Sequence, residues 1–72
     1  MSHPDESRPG TSVTHAERQA MDALLRRGTV KGAAGELGKS PATVDHQLRS
    51  VRARLGVSTT IEAVRILYVE KP

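Results

Sequence analysis

The chain has no cysteine, no tryptophan and no phenylalanine, and its one aromatic residue is Tyr68. Without cysteine, neither a disulfide framework nor a thiolate metal site is possible. With a single aromatic ring, a core must be assembled from Leu, Val, Ile, Ala and Met. Long apolar runs are also missing. None approaches the roughly 18 residues of a membrane-crossing helix, and the first residues hold no apolar signal core. The resulting expectation is a soluble, cytoplasmic protein with no membrane partner. Arrangements for catalysis are lacking as well. His3, His15 and His46 lie far apart in the chain, and no pair has metal-ligand spacing. Gly28, Gly38 and Gly56 punctuate helix ends, and no glycine-rich stretch follows a strand to form a phosphate-cradling loop. One small core leaves little room for a substrate pocket of roughly a few hundred Å3. No enzyme activity, cofactor or metal is expected.

What the sequence does have is helix punctuation. Ser40 to Gly56 reads as one helix with both ends marked. The Ser40 hydroxyl can accept from the free N–H groups of a first turn. Pro41 falls at the first helical position, where its missing N–H costs nothing, and Gly56 can close the helix in a left-handed conformation. Val44, Leu48, Val51 and Leu55 form a narrow apolar stripe at helical period. At about 100° per residue, Ala42, Asp45, His46, Arg49, Ser50 and Ala53 point the other way. Thr43, Gln47 and Arg54 lie on one flank and Arg52 on the other. An ordinary solvated face carries Glu and Lys at i,i+4 spacing. This one carries arginines, one acid and small residues, and a slim hydrogen-bonding helix of that kind fits a major groove about 12 Å wide.

The rest of the chain places that helix in one small domain. Residues 1–12, with two prolines and a glycine and no apolar period, read as a disordered tail, and residues 13–72 as the folded domain. Thr14 and Glu17 have capping-box spacing, and Ala20, Met21, Leu24 and Leu25 follow at helical period up to Gly28. Helix 1 is expected at about 15–27. Thr29 caps a short helix 2, about 30–37, with Ala33, Ala34 and Leu37 inward. Gly32 and Gly35 inside it each cost about 1 kcal/mol relative to Ala, so packing must hold it. Gly38-Lys39-Ser40 then makes the short, glycine-containing connection of a helix-turn-helix. Thr59 and Glu62 form a second capping box before helix 4, expected at about 60–70. Its apolar residues cover an arc of roughly 220°, where a single small core needs only about 100° or somewhat more. The excess points to a second apolar contact.

Charge is unevenly placed. Net charge is +3, yet the segment Arg26–Arg54 holds seven basic and two acidic residues, while the rest of the chain is net acidic. Basic charge gathered around one helix is the footprint of a nucleic-acid binder.

Taken in order, Val13-Thr14 with Glu17, Ala34 and Leu37, Ser40-x-x-Thr43-Val44, Leu48, Val51, Arg54-Leu55-Gly56-Val57 and Glu62-Ala63-Val64-Arg65 resemble the LuxR-type (FixJ/NarL-like) helix-turn-helix domain. The resemblance covers about residues 13–67. It implies an all-α, four-helix domain whose helix 3 enters the major groove of double-stranded DNA and whose helix 4 makes a homodimer contact, here Ile61, Val64, Leu67 and Tyr68. It implies base reading by Asp45, His46 and Arg49, and phosphate contacts from Lys31 and Lys39, joined on the flanks of helix 3 by Thr43, Gln47, Arg52 and Arg54. This sequence departs from the family pattern at Asp45, usually basic, at Gln47, usually His, at Gly32, often Glu, and at Thr60, commonly Arg. Its Gly28 also comes one place late. These departures bear on the target sequence and not on the core pattern. The function implied is sequence-specific transcription regulation, by a chain either free-standing or cut from a larger protein. The alternative is a protein-binding helix-turn-helix docking on RNA polymerase or another regulator. For Asp45, reading a base and merely holding Arg49 at i,i+4 stand about even.

Overall fold

The computed structural model describes residues 13–69; the tail expected at 1–12, and Glu70 at the end of helix 4, lie outside the described residues. Those residues form α1 (His15–Arg27), α2 (Val30–Leu37), α3 (Pro41–Leu55) and α4 (Thr60–Val64), the last running on as a π-helical stretch, Arg65–Val69. No strand occurs among the described residues. The expected all-α, four-helix architecture is therefore the observed one.

The helix boundaries follow local chemistry. Thr14 and Glu17 satisfy each other's backbone N–H groups at the start of α1, and Thr59 and Glu62 do the same for α4. Thr29 accepts from the Gly32 N–H at 3.0 Å. No side chain at Gly32 returns the bond, so α2 has half a capping box. Ser40 accepts from the Thr43 N–H at 3.2 Å, with Pro41 in the first turn. At the far ends of α2 and α3, Gly38 (φ 67°) and Gly56 (φ 71°) adopt the left-handed region that other residues avoid. There the Lys39 N–H donates to the Ala34 carbonyl at 2.9 Å and the Val57 N–H to that of Arg52 at 3.0 Å. This is the Schellman closure that a C-terminal glycine permits.

The core holds Ala20, Met21, Ala23, Ala33, Ala34, Val44, Leu48, Val51, Ala63 and Leu67. Half of these are alanine, so the helices approach closely and little apolar volume is buried. Gly32 adds to that closeness, since a Cβ there would lie 3.0 Å from both the Arg27 Cβ and the Thr29 Oγ1. α1, α2 and α3 pack on one another, and α4 packs on α3.

Helix 4 differs from expectation. The sequence predicts one helix over about 60–70, yet from Arg65 the turn widens by one residue. π-turns are rare and occur mostly as a single widened turn within an α-helix. Two contacts accompany this one. Leu67 is in the core at 4% exposed, and the Tyr68 hydroxyl donates to Asp22 on α1. Arg18 lies over the Tyr68 ring, 5.4 Å from its centroid.

Candidate nucleic-acid interface

Burial of Val44, Leu48 and Val51 fixes the rotation of α3. Asp45, His46 and Arg49 emerge together on its outer side, His46 and Arg49 exposed and Asp45 partly so. The Arg49 Nε lies 3.0 Å from the Asp45 Oδ2, an i,i+4 ion pair on the open face. Ala42 and Ala53 are exposed on the same helix and keep it slim. Lys31 on α2 is exposed, and Lys39 in the turn is partly exposed. Neither forms an ion pair among the described residues. The Lys39 backbone is pinned by its bond to Ala34, which gives this cation a defined root beside the start of α3.

The other basic residues of the segment are engaged inside the domain. Arg26 and Arg27 converge on Glu36: the Arg26 Nε donates at 2.9 Å, its Nη2 pairs with the same oxygen, and the Arg27 Nε donates to the other oxygen at 3.0 Å. The hydrogen bonds from Arg26 and then Arg27 hold the Glu36 carboxyl below its ordinary value, and Glu36 in turn raises Arg26. This clamp ties the end of α1 to α2.

Arg54 and Arg52, expected on phosphates, both point to partners within the fold. The Arg54 Nε sits 3.1 Å and 3.3 Å from the two carboxylate oxygens of Glu17. Glu17 is only 6% exposed, and one of its oxygens also accepts from the Thr14 N–H at 3.0 Å. The C-terminal turn of α3 is thereby braced to the N-terminus of α1. The Arg52 Nη1 donates to the Thr60 hydroxyl at 3.0 Å, joining α3 to α4. Thr43 shares a hydroxyl–hydroxyl bond of 2.9 Å with Ser40 at the α3 N-cap. The Gln47 Oε1 is buried with no hydrogen-bond partner among the described residues.

The residues expected at a dimer contact divide. Ile61 is 75% exposed, and Val69 beyond it is 71% exposed. Val64 is partly buried against the core. Leu67 faces the domain's own interior, and Tyr68 is packed on α1 and held there by Asp22 and Arg18. Burial, and then the bond to Asp22, push the Tyr68 hydroxyl above its ordinary pKa.

Sequence reasoning missed the Glu17–Arg54 brace, the Glu36 clamp and the Tyr68–Asp22 bond. Their partners are separated by 37, 9–10 and 46 residues. Helical periodicity gives no signal at such separations. Glu17 stood out only as a capping residue, which uses one of its oxygens and leaves the other unassigned.

No family model matches the chain, and no solved structure matches it. Over 56 residues it is 38% identical to the transcriptional regulatory protein UhpA of Escherichia coli (strain K12); the match takes in 78% of this chain and 29% of that protein. The chain thus spans less than a third of the length of this relative, and over that span it is similar to part of a transcription regulator.

Proposed function

We propose that the chain is a LuxR-type DNA-binding domain acting in sequence-specific transcription regulation as a homodimer. α3 enters the major groove, with Asp45, His46 and Arg49 toward base edges. Lys31 and Lys39 lie against the phosphates. The observation that carries this reading is the outer side of α3, with exposed His46 and Arg49 on a slim helix, together with a lysine on α2 and another in the connecting turn that no described carboxylate neutralises. Arg26, Arg27 and Arg54, by contrast, each pair with a carboxylate on another helix. The likeness to a transcriptional regulatory protein supports the same reading. Ile61 and Val69 offer the apolar surface for a second copy. Two helices displayed by such a dimer would read half-sites about 10 bp apart.

The test is fluorescence anisotropy on mixed genomic DNA fragments across a salt series. Lys31→Ala and Lys39→Ala should each weaken binding to all sequences alike and lower the slope of log K against log salt by roughly 0.9. Unchanged slopes for both would remove the phosphate assignment. Absence of any salt-dependent binding would overturn the DNA reading and favour docking on RNA polymerase or another regulator, for which the exposed Ile61 is the available anchor. A monomer in sedimentation both free and on DNA would remove the dimer.

A further inference from the structure

The ion pair on the outer face of α3 lies on the side proposed to read bases. Arg49 uses its Nε toward the Asp45 Oδ2. Its two terminal guanidinium nitrogens have no partner among the described residues, and 70% of its side chain is exposed. Asp45 likewise keeps its second oxygen, with 45% of its side chain exposed. The ion pair along the helix thus leaves the two groups with complementary free ends: a fork of donors from Arg49 and a single acceptor from Asp45.

The major groove offers partners for both. Guanine presents O6 and N7, which a guanidinium fork bridges. Cytosine presents an N4 amine, from which a carboxylate accepts. A free Arg49 side chain would lose rotamer freedom on docking. The ion pair with Asp45 favours one placement of the side chain only weakly, as an exposed i,i+4 pair does, so the freedom lost on docking falls by a correspondingly small amount. On a site lacking the amine, Asp45 would instead be desolvated beside base acceptors and phosphates without a donor, and that penalty falls on every wrong sequence.

Resting on the DNA reading above, we infer that Asp45 and Arg49 act as one preassembled reading unit, selecting a guanine next to an amine-bearing base, cytosine foremost. Asp45 is then a specificity-determining residue and not just a helix-stabilising one. Its acid lowers affinity for DNA in general and raises the distinction between sites. Phosphate contacts by Lys31 and Lys39 supply attraction that does not depend on sequence, and the reading unit filters it.

The experiment is selection from a random-sequence DNA pool with the wild-type chain, Arg49→Ala and Asp45→Ala, each first checked for unchanged helical circular dichroism. The wild type should select guanine at one position, preferred about 5- to 150-fold over other bases, the range expected of a bidentate contact, with cytosine enriched at the neighbouring pair. Arg49→Ala should lose the guanine. Asp45→Ala should lose the cytosine, weaken the guanine preference, and bind unselected DNA more tightly than wild type. A second arm replaces the selected cytosine by a pyrimidinone lacking the 4-amino group. The affinity lost should be several-fold greater for wild type than for Asp45→Ala. If Asp45→Ala selects the same sequence as wild type and suffers the same loss on the amine-free base, the coupled unit is refuted while guanine reading by Arg49 stands. If the wild type selects nothing, the DNA reading itself has failed.

Discussion

Replacing Arg54 with alanine separates two roles for the same cation. In the fold, its Nε bridges both oxygens of Glu17, and Glu17 is buried. Removing Arg54 leaves that carboxylate buried with the Thr14 N–H as its hydrogen-bond donor. Breaking a fully buried pair costs about 3–5 kcal/mol. Exposed pairs are worth only about 0–1 kcal/mol. Glu17 is on the buried side of that divide, but 45% of the Arg54 side chain meets water. About 2 kcal/mol is the reasonable value between these limits. Glu17→Gln should cost less, about 1 kcal/mol, because the amide oxygen can still accept from Thr14 and Arg54 is released to solvent. The double variant should then be barely worse than Glu17→Gln, since no stranded charge remains. That is non-additivity of about 1–2 kcal/mol, as expected of groups in direct contact. In a domain this small, whose total stability is only about 4–11 kcal/mol, the Arg54→Ala melting temperature should fall by about 8–16 °C. Thermal circular dichroism measures this, and anisotropy across a salt series measures the other role. A structural Arg54 leaves the salt slope of the folded variant unchanged. Melting within about 2 °C of wild type, together with a slope lower by roughly 0.9, would refute the brace and return Arg54 to the phosphates.

Gly35→Ala should stabilise the domain by about 0.5–1 kcal/mol, since a Cβ there meets nothing within 4 Å; Gly32→Ala, crowded at 3.0 Å by Arg27 and Thr29, should gain nothing, and chemical denaturation of the two variants side by side checks the contrast. Tyr68 is the single tyrosine, so its ultraviolet titration is uncluttered. Its hydroxyl pKa should lie above the ordinary value and fall toward it in Asp22→Asn. Because folding raises this pKa, the stability it contributes is complete below the ordinary tyrosine value, about pH 10, and is lost as pH rises through the folded one. The Glu62 carboxyl is lowered, first by the Ser58 backbone N–H and then by Thr59, so its contribution is present above about pH 4.3 and disappears as pH falls through the depressed value. Glu62→Gln should flatten the loss of stability between about pH 5 and pH 3, and an unchanged acid limb would count against the cap as a contributor.

The sequence by itself determined where the helices begin and end. Thr14, Thr29, Ser40 and Thr59 cap their helices, and Gly28, Gly38 and Gly56 follow the ends of the first three, as expected from short-range hydrogen bonding. It also determined which side of α3 faces in, because Val44, Leu48 and Val51 recur at helical period and have only one core to enter. The outward emergence of Asp45, His46 and Arg49 follows from that rotation. Only the tertiary structure decided which charges remain available. Side-chain reach across the fold pairs Arg54 with Glu17 and draws Arg26 and Arg27 to Glu36, leaving Lys31 and Lys39 without an ion pair among the described residues. Likewise, a wide apolar arc on helix 4 does not say which of its residues point outward. The π-turn settles that by carrying Leu67 into the core and Tyr68 onto Asp22, with Ile61 and Val69 left in solvent. Caps and stripes are local, set by residues three or four apart, whereas ion pairs and helix register depend on which surfaces the packed helices bring within a side chain's length.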